Sequence, residues 1–175
     1  MPDDYLVAAA RLGDRRALGL LARRWHRKLV AHAWRLLGDR DAATDAVQEA
    51  WTEIVRGIAG LNHAQAFPAW AYRIVSRRCA RSVGQTQRQR RLEAAIVAEP
   101  QPPTEPSEAA TDLGKLRAAI RALPAGQRAA VALFHLDEMS VAEVAVALDI
   151  PAGTVKTRLM HARQKLREAL EGERQ

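Results

Sequence analysis

Residues 92–114, LEAAIVAEPQPPTEPSEAATDLG, constrain this chain more than any other stretch. The segment holds Glu93, Glu99, Glu105, Glu108 and Asp112 without one basic residue, and it contains four of the eight prolines. Proline removes the backbone donor that helix and sheet need, and the few apolar side chains here cannot offset the entropy of ordering the segment. One core running through the whole chain is therefore not expected. The sequence predicts two small helical domains, 1–91 and 113–175, joined by a flexible acidic Pro-rich linker at 92–112. Such a linker can be a plain spacer. A negative strand between two positive domains can also shield them from each other, or imitate nucleic acid inside a basic channel.

Aromatic residues are only 5% of the chain, while Ala, Leu, Arg and Glu are abundant, so intrinsic propensity favours helix over strand. An all-α fold follows, and a 48% apolar content is enough for the cores. The formal net charge of +7 calls for a polyanionic partner, nucleic acid ahead of a membrane surface. No apolar run approaches the roughly 18 residues of a membrane span, so no membrane insertion is expected. The N-terminus MPDDYLVAAARLGD opens on acids, unlike a signal peptide, which places the protein in the cytoplasm. Cys79 is the single cysteine and the five histidines show no ligand spacing, so neither a metal nor another cofactor is expected.

Glycine and aspartate punctuation divides the first half into helices over about 3–12, 15–37, 41–57 and 66–85. In the second helix Leu18, Leu21, Trp25, Leu29, Ala33 and Leu36 recur at spacings of three and four, which makes them one core stripe. The third buries Ala43, Ala46 or Val47, Ala50, Ile54 and Ile58, and turns Asp45, Gln48, Glu49, Thr52 and Glu53 outward. That acid-rich face is either a solvated surface or a docking face for a basic protein. Next comes LNHAQAFPAWAYRIVSRRCARSVGQTQRQRR, where seven arginines between Arg73 and Arg91 face no acid. Arginines interleaved with Phe67, Trp70 and Tyr72 suit single-stranded nucleic acid, with rings for bases and guanidiniums for phosphates. Helical spacing cannot put all three rings on one face, so at least one belongs to the core and Trp70 sits near the junction.

In the second half, Leu113, Leu116, Ile120 and Leu123 mark one amphipathic helix, and Pro124 is expected in the first turn of the next, which ends near Asp137. Ser140 and Glu143 have capping-box spacing at the start of a short helix to Leu148. DIPAG then turns into a helix from Thr154 to about Glu171. Two helices about four residues apart, with small Ala145 at the crossing, form a helix-turn-helix. The second helix turns Val155, Leu159, Ala162 and Leu166 to the core. Its other side carries Lys156, Thr157, Met160, His161 and Arg163, with Gly153 and Thr154 placed to approach a phosphate.

DAATDAVQEAW (41–51), FPAWAYRIV (67–75) and LPAGQRAAVALFHLDEMSVAEVAVALDIPAGTVKTRLMHARQKLREAL (123–170), in that order, resemble a bacterial sigma factor of the extracytoplasmic-function group, the two-domain type. The resemblance implies a non-catalytic subunit that binds core RNA polymerase and directs it to promoter DNA. It implies docking on polymerase through Asp45, Gln48, Glu49, Thr52 and Glu53. It also implies capture of the melted minus-ten element by Asn62, His63, Gln65, Trp70, Arg73, Arg77, Arg78 and Arg81. The minus-thirty-five duplex would be read by Gly153, Thr154, Lys156, Thr157, Met160, His161 and Arg163. An anti-sigma factor is a common partner in that group. The sequence departs from the group at Arg77, where asparagine is frequent, and at Arg81, where an acid is usual; minus-ten capture then either differs or leans more on phosphate. Pro68 replaces a bulkier polar or aromatic residue, and Met160 and His161 replace a more usual polar or basic pair.

The runner-up reading is a free-standing helix-turn-helix regulator that binds duplex DNA without polymerase, and it leaves the first domain unexplained. A helical adaptor that binds only protein is a third. An enzyme ranks last, because no phosphate-cradling Gly-rich loop and no nucleophile-base pair stands out.

Overall fold

The computed structural model describes residues 2–93 and 112–171. Eight α-helices account for most of them and no strand is present among the described residues, so the protein is all-α. They are α1 (Asp3–Arg11), α2 (Arg15–Leu37), α3 (Arg40–Gly57), α4 (Phe67–Glu93), α5 (Asp112–Ala122), α6 (Ala125–His135), α7 (Val141–Leu148) and α8 (Ala152–Glu171). Of the expected linker, only Leu92, Glu93 and Asp112 lie within the described residues, the first two in α4 and the third opening α5.

Capping chemistry sets the boundaries. The Asp14 carboxylate accepts from the amides of Arg16 (2.8 Å) and Ala17 (3.1 Å), and Asp39 accepts from Ala42 (2.7 Å), so two acids satisfy helix amides left without intrahelical partners. Gly38, at φ +71°, closes α2 in the left-handed conformation that glycine adopts without steric cost. The capping box is complete: the Glu143 amide donates to Ser140 Oγ (3.2 Å), and the Ser140 amide donates to Glu143 Oε2 (2.8 Å). Pro124 differs from expectation. It stands one residue before the helix as its N-cap, with ψ 144°, because its extended backbone leads into α6 instead of belonging to the first turn. Helix α4 continues past the expected end at residue 85, since its Gln- and Arg-rich continuation favours helix and no proline intervenes before Pro100.

The α2 stripe packs as its period requires. Leu21, Trp25, Leu29 and Ala33 are buried, meeting Val47, Ala50 and Ile54 of α3 and Phe67, Tyr72 and Val75 of α4. Trp25 meets Phe67 and Tyr72 edge-to-face at centroid separations of 5.5 and 5.8 Å. In the second half Ala129, Ala130 and Leu133 of α6, Val144 and Ala147 of α7, and Val155, Leu159 and Ala162 of α8 are all buried. Each large aliphatic side chain buried in this way contributes about 1.5–3 kcal/mol.

The sequence did not foretell that these two cores join. Helix α7 lies on α4 and α6 lies on α2, and the buried residues of both halves form one contiguous cluster. Polar groups stitch the seam. Ser76 Oγ lies 2.7 Å from the Ala147 carbonyl and 2.9 Å from His32 Nε2, Tyr72 donates to Asp137 (3.1 Å), and the Arg128 guanidinium donates to the Arg35 carbonyl (2.9 and 3.2 Å).

Candidate nucleic-acid interface

The α8 face turned away from the core is built by simple periodicity. Val155, Leu159 and Ala162 are buried and Leu166 is half-buried, which leaves Gly153, Lys156, Thr157, Met160, His161 and Arg163 exposed along the other side. Thr154 is half-buried, and its amide donates to the Pro151 carbonyl at 3.0 Å, so of the two N-terminal residues Gly153 is the open one. A Cβ at Gly153 would meet nothing within 4 Å. The Thr157 hydroxyl donates back to the Gly153 carbonyl (3.0 Å), and the Arg163 guanidinium stands over the Phe134 ring at 5.8 Å. Arg158 packs its guanidinium where a Cβ at Gly126 would sit, 2.8 Å away. Two of the basic groups are thus stabilised by contacts inside the domain, while Lys156 and His161 lie at the surface.

The other basic helix, α4, makes a more enclosed site. An open cleft of about 470 Å³ is lined by Glu53 and Gly57 of α3, by Gly60, Leu61 and Asn62 of the connecting loop, and by Trp70, Arg73, Ile74 and Arg77 of α4. Gly57 lets the Trp70 ring lie close against α3, because a Cβ there would approach Trp70 Cζ2 to 2.9 Å. Among the predicted residues the structure brings Asn62, Trp70, Arg73 and Arg77 together here. His63 and Gln65 are exposed outside it, with Gln65 Nε2 donating to Asp4 (3.3 Å), and Arg81 is exposed further along α4. Gly57, Gly60 and Leu61 carried no sequence signal beyond closing a helix. Of the three rings, Phe67 and Tyr72 are core residues and Trp70 is half-buried at the rim.

Arg78 takes a different direction. Its Nη2 meets Glu53 at 2.6 Å and its Nη1 meets Glu49 at 3.3 Å, and these bonds raise the guanidinium's pKa above its ordinary value, the Glu53 hydrogen bond first. One arginine predicted for DNA therefore neutralises part of the acid face predicted for protein docking. Asp45, Gln48, Glu49 and Thr52 remain exposed on α3, and Glu53 is half-buried.

The seam beside these arginines includes groups that sequence reasoning did not single out. His32 is fully buried between Ser76 and Tyr72. Ser76 has one hydroxyl proton and two carbonyls within reach, Ala147 and Tyr72, so the His32 bond is donated by Nε2–H and the unprotonated Nδ1 has no partner. Burial, with the nearby Arg35 charge, lowers the imidazole's pKa to about 3, so the ring is neutral. Burial also pushes the Cys79 thiol up to about 12, which makes it unreactive. No group of three or more His, Cys, Asp or Glu residues comes together among the described residues, and no described helix is long and apolar enough to cross a membrane.

A cleft edged by an aromatic ring and arginines, and a helix-turn-helix with an exposed basic face, define the molecule as a two-part nucleic-acid-binding protein. Comparison with known proteins narrows this. Residues 21–89 match the family model for sigma-70 region 2, and residues 113–166 match the one for sigma-70 region 4. The chain is 31% identical to the ECF RNA polymerase sigma factor SigM of Mycobacterium tuberculosis H37Rv, over 96% of its own length and 84% of the relative's. It is 28% identical to the ECF RNA polymerase sigma-E factor of Escherichia coli K12, over 95% and 93%. Among solved structures, CnrH in complex with the cytosolic domain of CnrY matches with TM-score 0.66 and 26% identity, over 97% of each chain. The sigma factor RpoE of Bartonella quintana, solved with the anti-sigma factor NepR, shares the fold at TM-score 0.67 and 23% identity, over 87% and 96%. The chain belongs to the extracytoplasmic-function sigma factors of the sigma-70 family. It is a transcription initiation factor that gives RNA polymerase promoter specificity.

Proposed function

We propose that the two halves divide the promoter between them. Residues 1–91 hold core polymerase and the melted minus-ten strand, residues 113–175 read the minus-thirty-five duplex, and 92–112 join them. The observation that carries this reading is the partition of α8, where Val155, Leu159 and Ala162 are buried and Lys156, Thr157, Met160 and His161 lie exposed on one side. A helix presented in that way enters a major groove by its N-terminal half, where side chains reach base edges and Gly153 admits a phosphate. In the cleft, Trp70 supplies a stacking surface for an unpaired base beside Asn62, and Arg73 and Arg77 hold phosphates. His63, Gln65 and Arg81 extend that track, Arg78 anchors α4 to α3, and Thr154 and Arg163 support the reading helix. The exposed Asp45, Gln48, Glu49 and Thr52, with Glu53, offer the polymerase an acidic docking face.

The protein acts by binding, without a catalytic residue of its own, and works in the cytoplasm where polymerase is. An anti-sigma factor is its regulator, a partner that the resemblance to the extracytoplasmic-function group implies; CnrH, 26% identical to this chain, was likewise solved with a protein partner, the cytosolic domain of CnrY. Run-off transcription with core polymerase over a genomic library tests the reading. Specific start sites should appear only when the protein is added, and Lys156→Ala with His161→Ala should alter minus-thirty-five preference. Tight duplex binding without polymerase, and no gain in initiation with it, would instead favour a free-standing regulator.

A further inference from the structure

The outward side of α8 is less polar at its centre than its basic composition suggests. At the ~100° per residue of an α-helix, Thr157 and Gln164 stand within about 15° of the line opposite buried Val155, Leu159 and Ala162, and Met160 and His161 flank that line at about 50°. The two polar side chains on the line are already engaged. Thr157 Oγ1 donates to the Gly153 carbonyl at 3.0 Å, and Gln164 Nε2 donates to Glu168 Oε1 at 3.0 Å. A threonine bonded back to its own helix has its hydroxyl proton occupied, so its γ-methyl is the group left to meet a partner. One turn further along, Met160 is 57% exposed. Side chains three residues apart on a helix lie about 5–6 Å from each other, so the methyl and the thioether make one small apolar patch in the N-terminal half of the helix.

Arginine does not take that place. Arg158 is half-buried, with Nη1 2.8 Å from where a Cβ on Gly126 would stand, and Arg163 lies over the Phe134 ring at 5.8 Å. Both guanidiniums are drawn back towards α6, and arginine is the side chain that most often reads guanine. Among the groups that base pairs expose in the major groove, the thymine C5-methyl is the apolar one. We propose that Thr157 and Met160 read the C5-methyl groups of two adjacent thymines on one strand of the minus-thirty-five element, so that this chain selects a thymine-thymine step there by apolar contact instead of by hydrogen bonds.

This deepens the assignment of α8 to the minus-thirty-five duplex and rests on it. The dimensions agree. Successive base pairs are ~3.4 Å apart along the duplex axis and turned relative to each other, so a patch of that size spans one step. The two side chains divide the work between them. Threonine, stiff at χ1 and held by its bond to Gly153, fixes one contact in place, whereas the unbranched thioether of Met160 adapts its end to the second methyl.

The test uses holoenzyme assembled from the full chain and core polymerase, on promoter duplexes with a randomised minus-thirty-five element. Selected duplexes should carry two adjacent thymines at a fixed position. Replacing either one by deoxyuridine removes a methyl and leaves every hydrogen-bonding group of the base, and it should weaken binding about threefold to fourfold, as expected for one buried methyl group. Met160→Ala should weaken binding to the thymine duplex and make deoxyuridine neutral at one of the two positions. Thr157→Ser, which keeps the hydroxyl and its bond to Gly153, should do the same at the other. Lys156→Ala should weaken binding to thymine and deoxyuridine duplexes alike. A selected element without adjacent thymines, deoxyuridine that is neutral for the native chain, or a deoxyuridine penalty that persists in both M160A and T157S overturns the methyl reading and leaves the minus-thirty-five assignment standing. If selection returns no preferred sequence at all, the assignment fails and the methyl reading with it.

Discussion

Helices α4 and α8 are both basic and both suited to nucleic acid, yet the fold treats them in opposite ways. On α8, among the described residues, no ion pair engages Lys156, Arg158 or Arg163. On α4, Arg73 and Arg77 are held by Asp149, and Arg78 by Glu53 and Glu49. The difference comes from position. Helix α8 packs by one face at the end of its bundle, whereas α4 is packed by α2 and α3 on one side and by α7 on the other. One helix is displayed and the other is enclosed.

Acid should break the enclosed side first. Neutral His32 has its pKa lowered from 6.5 to about 3, chiefly by burial and then by the Arg35 charge. Above about pH 6.5 neither the folded nor the unfolded chain protonates it, and no penalty applies. Below that the unfolded state binds the proton and the native state does not, so stability falls as pH drops from about 6.5 towards 3 at up to about 1.4 kcal/mol per pH unit. Denaturant melts across that window should show this slope, and His32→Gln should flatten it. Ser76→Ala removes the hydroxyl that joins His32 to the Ala147 carbonyl. The expected loss is about 1–3 kcal/mol of stability, read as a lower denaturation midpoint.

On the displayed helix the effects should fall on DNA and spare stability. Lys156→Ala with His161→Ala should leave melting within about 0.5 kcal/mol of the native value, as expected for exposed positions. Each lost base contact should cost about 1–3 kcal/mol in minus-thirty-five discrimination, measured by run-off from mutated promoters. The smallest effect should come from Glu49→Gln, the more exposed partner of Arg78. A change within about 0.5 kcal/mol in stability is expected, together with weaker capture by core polymerase if that face docks it. A large stability loss from the α8 pair, or none from Ser76→Ala, would erase the distinction between the two helices.

Much of the fold was legible because periodicity and caps are local. Leu21, Trp25, Leu29 and Ala33 could be assigned to the core from spacing alone, and Ser140 with Glu143 announced their box three residues apart. The exposed side of α8 was legible for the same reason, since burying Val155, Leu159 and Ala162 determines what the opposite side shows. The cleft was half legible. Trp70, Arg73 and Arg77 were identifiable by type and clustering, but the role of Gly57 depends on a Trp70 ring thirteen residues away in sequence. His32 and Ser76 gave no signal, because they lie 44 residues apart and become partners only where α2, α4 and α7 meet.

The sequence by itself determined two helical halves, the side each helix buries, and a helix-turn-helix with an exposed basic face. These follow from spacings of three and four residues and from short-range capping, which hold whatever lies beyond the helix. Only the tertiary structure decided that the halves share one core and that Asp149, 76 residues from Arg73, is the anion on its guanidinium. Such pairings depend on how two helices cross, and no local pattern of side chains records that.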